Sequence, residues 1–94
     1  MKLLLCLKCN DIFNLDYHEK SCTCGDTKGK YNDKVNAEYS GKHAVPLGFD
    51  NLSIAHAINR QPKSGWGSRF TAFVIPKKCP TFTKTDQYVK TPQK

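Results

Sequence analysis

Ninety-four residues, a formal net charge of +7 and a mean hydropathy of −0.59 describe one small basic domain with a marginal apolar core. No run of about 18 apolar residues is present, which excludes a membrane-spanning helix. The apolar start at Leu3, Leu4 and Leu5 is interrupted at Lys8 and lacks a small-residue cleavage site, so it does not read as a secretory signal. A cytoplasmic location is therefore expected, the host cytoplasm if the chain is phage-encoded.

The first quarter of the chain carries four of the five cysteines, paired as Cys6 with Cys9 and Cys22 with Cys24. In a reducing compartment, paired cysteines favour metal over disulfides, which are the alternative. Two short loops each offering a pair of thiolates can close a tetrahedral site around one Zn²⁺. Each loop needs a residue tolerant of positive φ after its second cysteine, so that amides turn toward sulfur. Asn10 and Gly25 stand at those places. The second pair is a tighter C-x-C rather than C-x₂-C, which leaves His18 as an alternative ligand. Lys8 would offset part of the thiolate charge. Leu3, Leu4 and Leu5 read as a short buried strand, and Ile12, Phe13, Leu15 and Tyr17 as apolar lining between the two loops.

These cysteines and Gly25 resemble the zinc-ribbon pattern over residues 1–30. The resemblance implies a single structural zinc coupled to folding, and brings no activity with it. The later part, from Tyr39 through Phe73, Val74, Ile75 and Pro76, is similar to small uncharacterised ribbon-bearing proteins of phages and bacteria.

Beyond Gly25, Tyr31, Val35, Ala37 and Tyr39 alternate with mainly polar residues, the period of strands. Residues 43–49 read as a further strand, expected at an edge or bulge because Pro46 cannot donate to a ladder. Asp50 or Asn51 caps one helix over residues 51–61, with Leu52, Ala55 and Ile58 expected on the core side and Ser53, His56, Asn59 and Arg60 opposite. Pro62 ends it. Residues 63–69 form a glycine-bearing loop, and Phe70 to Ile75 is the strongest strand pattern, stopped by Pro76. The fold class expected is small α+β: a ribbon hairpin running into an antiparallel sheet of three to five strands, with the helix on one face. Residues 1–80 form the domain (1–30 ribbon, 31–80 sheet and helix), and 81–94 a basic flexible extension.

Charge is placed unevenly. Residues 1–59 hold seven Lys/Arg and seven Asp/Glu, whereas residues 60–94 hold eight basic residues against Asp86. The basic end is the expected contact for an anion. Within it, Trp66 sits between Gly65 and Gly67, near Arg60, Lys63 and Arg69, with His56 one helical turn before Arg60. An indole for stacking beside cations for phosphate suits nucleic acid or a nucleotide. The alternatives are that Trp66 folds back over the core and that the lysines only aid solubility. An enzyme is the weaker class: no H-E-x-x-H, P-loop or G-x-S-x-G occurs, and Glu19 lacks the surrounding deaminase signature. A viral antagonist that sequesters a phosphorylated signal or blocks a host protein is the other binding hypothesis. Cys79, between Lys78 and Pro80, is expected to be neither metal ligand nor nucleophile.

Overall fold

A computed structural model describes residues 1–85. The chain forms β1 (Lys2–Cys6), β2 (Ile12–Asn14), β3 (Lys20–Ser21), β4 (Lys28–Tyr31), β5 (Ala37–Ser40), β6 (Ala44–Phe49), α1 (Asn51–Asn59), β7 (Ala72–Val74) and β8 (Phe82–Lys84). These strands make two four-stranded sheets, ordered β2-β1-β6-β7 and β3-β4-β5-β8. All pairs are antiparallel except β5 with β8, which is parallel, with Ala37 opposite Phe82. The expected single antiparallel sheet is thus two sheets with one short helix, a mainly β arrangement compatible with α+β.

Both sheets feed one core. Leu4, Leu15, Ala37, Tyr39, Ile75 and Phe82 are buried together, with Phe13, Tyr31, Ala44 and Cys79 packed against them. Tyr39 and Phe82 meet edge to face at 4.8 Å between centroids, a favoured arrangement of ring quadrupoles. Gly29 leaves no room for a side chain: a Cβ there would lie 2.6 Å from Leu4 Cδ1 and 3.1 Å from Leu15 Cδ2.

Four expectations change on folding. Residues 43–49 give an interior strand rather than an edge. Pro46 is tolerated because its carbonyl, accepting from Ile75 N at 2.9 Å, shows that its missing donor faces the segment just past the end of β7. Val35 lies in the exposed turn between β4 and β5, where Asp33 accepts from Val35 N and Asn36 N at 2.8 and 2.7 Å. The run from Phe70 yields only a three-residue strand whose side chains are all exposed. The fold also extends past residue 80: Phe82 is 1% exposed, in the core, and β8 pairs with β5. The rest of the expected extension, residues 86–94, lies outside the described residues.

The helix ends at Asn59, and its orientation differs from the periodicity. Asp50 is the N-cap and accepts from Leu52 N and Ser53 N. Ser53 Oγ donates to Asp50 O at 2.9 Å and accepts from Thr71 N at 2.8 Å. Those two bonds turn the Ser53, Ile54 and Ala57 side inward, so that Leu52 (68% exposed) and Ile58 (64%) face outward. No residue of α1 is buried. No helix among the described residues is long and apolar enough to cross a membrane.

Candidate metal centre

Each cysteine pair occupies the turn of a β-hairpin. Cys6 ends β1, and the chain returns as β2 after Cys9; Cys22 and Cys24 lie between β3 and β4. The two hairpins belong to different sheets. The four sulfurs nevertheless converge, all within 4.8 Å of one another, with Cys6–Cys24 at 3.8 Å and Cys22–Cys24 at 3.5 Å. Ligands about 2.3 Å from a tetrahedral zinc would stand about 3.8 Å apart, so the spacing suits one ion.

The turns are built alike despite differing by one residue. Asn10 N donates to Cys6 O at 2.7 Å, closing the longer turn, and Gly25 N donates to Cys22 O at 3.0 Å, closing the shorter. Asn10 (φ +63°) and Gly25 (φ +81°) supply the left-handed residue after the second cysteine in each case. The C-x-C loop therefore uses a three-residue closure where C-x₂-C uses a four-residue one. Asp11 fastens the two together, its Oδ2 accepting from Thr23 N at 2.9 Å and Thr23 Oγ1 at 3.0 Å. Leu7 N donates to His43 O at 3.0 Å. His43 Nδ1 in turn lies 2.9 Å from Asp26 Oδ2, so the β5–β6 turn braces both cysteine loops.

The surroundings favour thiolate at Cys6 and Cys22 and oppose it at Cys24. The Thr27 hydroxyl is the main influence holding the Cys6 thiol below its ordinary value; burial opposes it, and the amides of Cys9 and Lys8 assist. That hydroxyl is fully buried and meets no partner of hydrogen-bond geometry. A buried donor with no other acceptor fits an anionic sulfur beside it. At Cys22, burial pushes the thiol up, but Thr27 N, 3.3 Å from the sulfur, and hydrogen bonds from Cys24, Cys6 and Cys9 bring it down to about 6. The Asp26 amide lowers Cys24, yet burial and its bonds to Cys22, Cys9 and Cys6 leave it pushed up to about 12. With no cation, four sulfurs this close cannot all ionise, and the protons are shared. One divalent ion removes that conflict. Four soft donors in this geometry suit a thiophilic ion such as zinc, and the cluster is compatible with a zinc-ribbon-like site.

The other sequence candidates lie elsewhere. His18 is exposed, with Nδ1 3.8 Å from Asp16 Oδ2, and Glu19 is exposed beside it. Neither joins the cysteine cluster among the described residues. Cys79 is also outside it: its sulfur lies 3.4 Å from Thr81 Oγ1, and that hydroxyl is the main influence lowering its thiol. Trp66 is 95% exposed. His56, Arg60 and Arg69 line one crevice of about 390 Å³ together with Ser53, Ala57 and Ser68. Lys63 lines a neighbouring crevice of about 480 Å³ whose walls include Ile54, Ala57, Ile58, Pro62, Ser68 and Phe70. Trp66 lines neither of these two. Sequence reasoning missed Asp11, Thr23, Thr27 and His43 as supports of the metal centre. Their adjacency to the cysteine pairs was a signal for the first three, whereas His43 comes in only through the turn that closes β5 and β6. No protein-family model, curated protein or solved structure matches this chain.

Proposed function

We propose that this is a non-enzymatic zinc-ribbon protein that binds an anionic, base-bearing ligand, single-stranded nucleic acid or a nucleotide, through the α1–β7 segment. An accessory role in a phage or bacterium is in keeping with the resemblance of its sequence. The observation that carries this reading is the pair of adjoining crevices with Ala57 and Ser68 in their shared wall. One is lined by Ile54, Ile58, Pro62 and Phe70 together with Gln61, Lys63 and Ser64; the other holds His56, Arg60 and Arg69. A flat base suits the first and its phosphate the second. Trp66, held out in solvent between two glycines, offers a second stacking face for a neighbouring base. The zinc is structural in this reading, since four cysteine ligands leave no open position for a catalytic water.

The single tryptophan is its own reporter. Titrating homopolymeric DNA and RNA single strands and mononucleotides against Trp66 fluorescence should give quenching that deepens with strand length and weakens steeply with salt. A mononucleotide that saturates fully and raises the melting temperature would narrow the ligand to a nucleotide. Trp66→Ala, followed by anisotropy of a labelled strand, should weaken binding by about 1–3 kcal/mol with metal content intact. Parent-like binding by both Trp66→Ala and Arg69→Ala would make the loop structural, and no binding by the parent would turn attention to a protein partner.

A further inference from the structure

Ser53, His56, Ala57 and Arg60 share one face of the helical segment, and with Ser68 and Arg69 they line the crevice of about 390 Å³. Arg69 reaches it from a loop whose flanks are both tied to the helical segment. Ser68 Oγ donates to Arg60 O at 3.2 Å, and Thr71 N donates to Ser53 Oγ at 2.8 Å. These two bonds, one on each side of Arg69, hold its backbone alongside His56 and Arg60.

Two guanidiniums and an imidazole thus share one small concavity without a counter-charge. No Asp or Glu lines this crevice or the adjoining one. Neither Arg60 nor Arg69 has a side-chain hydrogen bond or ion pair among the described residues. Like charges gathered in one place repel, and an anion between them relieves that. The two hydroxyls of the crevice are already engaged as donors, Ser53 Oγ to Asp50 O and Ser68 Oγ to Arg60 O. The donors left free are charged or chargeable, and guanidinium forks match phosphate oxygens in pairs.

We propose that this crevice takes a terminal phosphate, a monoester at the end of a strand or on a nucleotide, in preference to the internal diesters of a chain. The inference rests on the base-and-phosphate reading above and specifies which phosphate is bound. Charge selects it. A phosphate monoester carries about −1.5 to −2 charge at pH 7 and three free oxygens, whereas each internal diester carries a single charge and two. Cations that follow a strand are spread along a groove; here two permanent ones and His56 converge on one point. The adjoining crevice, which shares Ala57 and Ser68, then receives the base of the terminal nucleotide.

Binding of the zinc-loaded, full-length chain to matched ligand pairs tests this. Anisotropy compares short labelled single strands with a phosphate or a hydroxyl at the 5′ end, and a second pair differing at the 3′ end. Competition by a nucleoside monophosphate against its nucleoside makes the third pair. In at least one pair the phosphate should tighten binding by about tenfold or more, and the pair that responds identifies the source. Arg60→Gln and Arg69→Gln should each bring that ratio close to one. Lys28→Gln, on β4 and outside both crevices, should weaken both members of a pair alike and keep the ratio. If ligands bind but no pair reaches that preference, the inference falls and the base-and-phosphate reading stands; if no strand or nucleotide binds, both fall. A preference that survives in both arginine variants, or that Lys28→Gln also removes, overturns the inference too. Should the arginine variants not fold, the Nε–H NMR signals of Arg60 and Arg69 in the parent decide. A nucleoside monophosphate that shifts both, where its nucleoside does not, supports the proposal; any other pattern rejects it.

Discussion

Asp11 and Thr23 join the two cysteine loops: one carboxylate oxygen accepts both the amide and the hydroxyl of Thr23, at 2.9 and 3.0 Å. Asp11 follows the first cysteine pair, and Thr23 stands between the cysteines of the second. The bond therefore sets the relative position of two ligand pairs that arise from different sheets. Because the donor set must be held before the ion arrives, Asp11→Asn should lower zinc affinity by about 10-fold. Competition against a chromophoric chelator measures this, and parent-like affinity would remove Asp11 from the site.

An ion held by the four cysteines would staple the hairpins of the two sheets, so loss of one ligand should be felt by the whole fold. Cys22→Ser is expected to release zinc and to broaden or abolish the thermal transition, since metal binding is coupled to folding in sites of this kind. Cys79→Ser should keep a full equivalent of zinc, because its sulfur packs near the core and Thr81 instead. Zinc loss from Cys79→Ser, or full retention by Cys22→Ser, would contradict this assignment.

Gly29 sits where Leu4 and Leu15 leave no room for a side chain. Gly29→Ala should destabilise the zinc-loaded protein by about 1–3 kcal/mol through overpacking, measured by denaturant unfolding at constant metal. An unchanged midpoint would mean the sheets separate readily there.

The turn between β4 and β5 gives a pH dependence of defined sign. Hydrogen bonds from the Asn36 side chain, then from the amides of Asn36 and Val35, hold the Asp33 carboxyl below its ordinary 3.8. A carboxyl depressed in the folded state contributes stability that is present above its unfolded value and lost as pH falls through the folded one. NMR titration of Asp33 should therefore place its midpoint below 3.8, and Asp33→Asn should remove that part of the acid sensitivity. A midpoint at or above the ordinary value would show the turn to be open in solution.

The candidate metal cluster was legible because its chemistry is local: two cysteine pairs, each followed by a residue that enters the left-handed region at low cost. The helix cap was legible to within one residue, Asp50 or Asn51, and the structure gives Asp50. What periodicity could not supply was the partner of each face. Leu52, Ala55 and Ile58 repeat as a buried stripe should, but the bonds of Ser53 to Asp50 and Thr71 turn the helix another way. Pro46 signals an edge strand by its missing donor, yet β6 is interior because that gap falls beyond the last residue of β7. Phe82 lay among threonines with no apolar run around it, and parallel pairing with β5 carries it into the core. The amino-acid sequence by itself determined four cysteines at metal-binding spacing, their turns and the basic bias of the later residues. Only the tertiary structure decided that the two cysteine pairs belong to different sheets, and which side chains brace them. Those outcomes depend on contacts between residues far apart in the chain, and no local pattern encodes them.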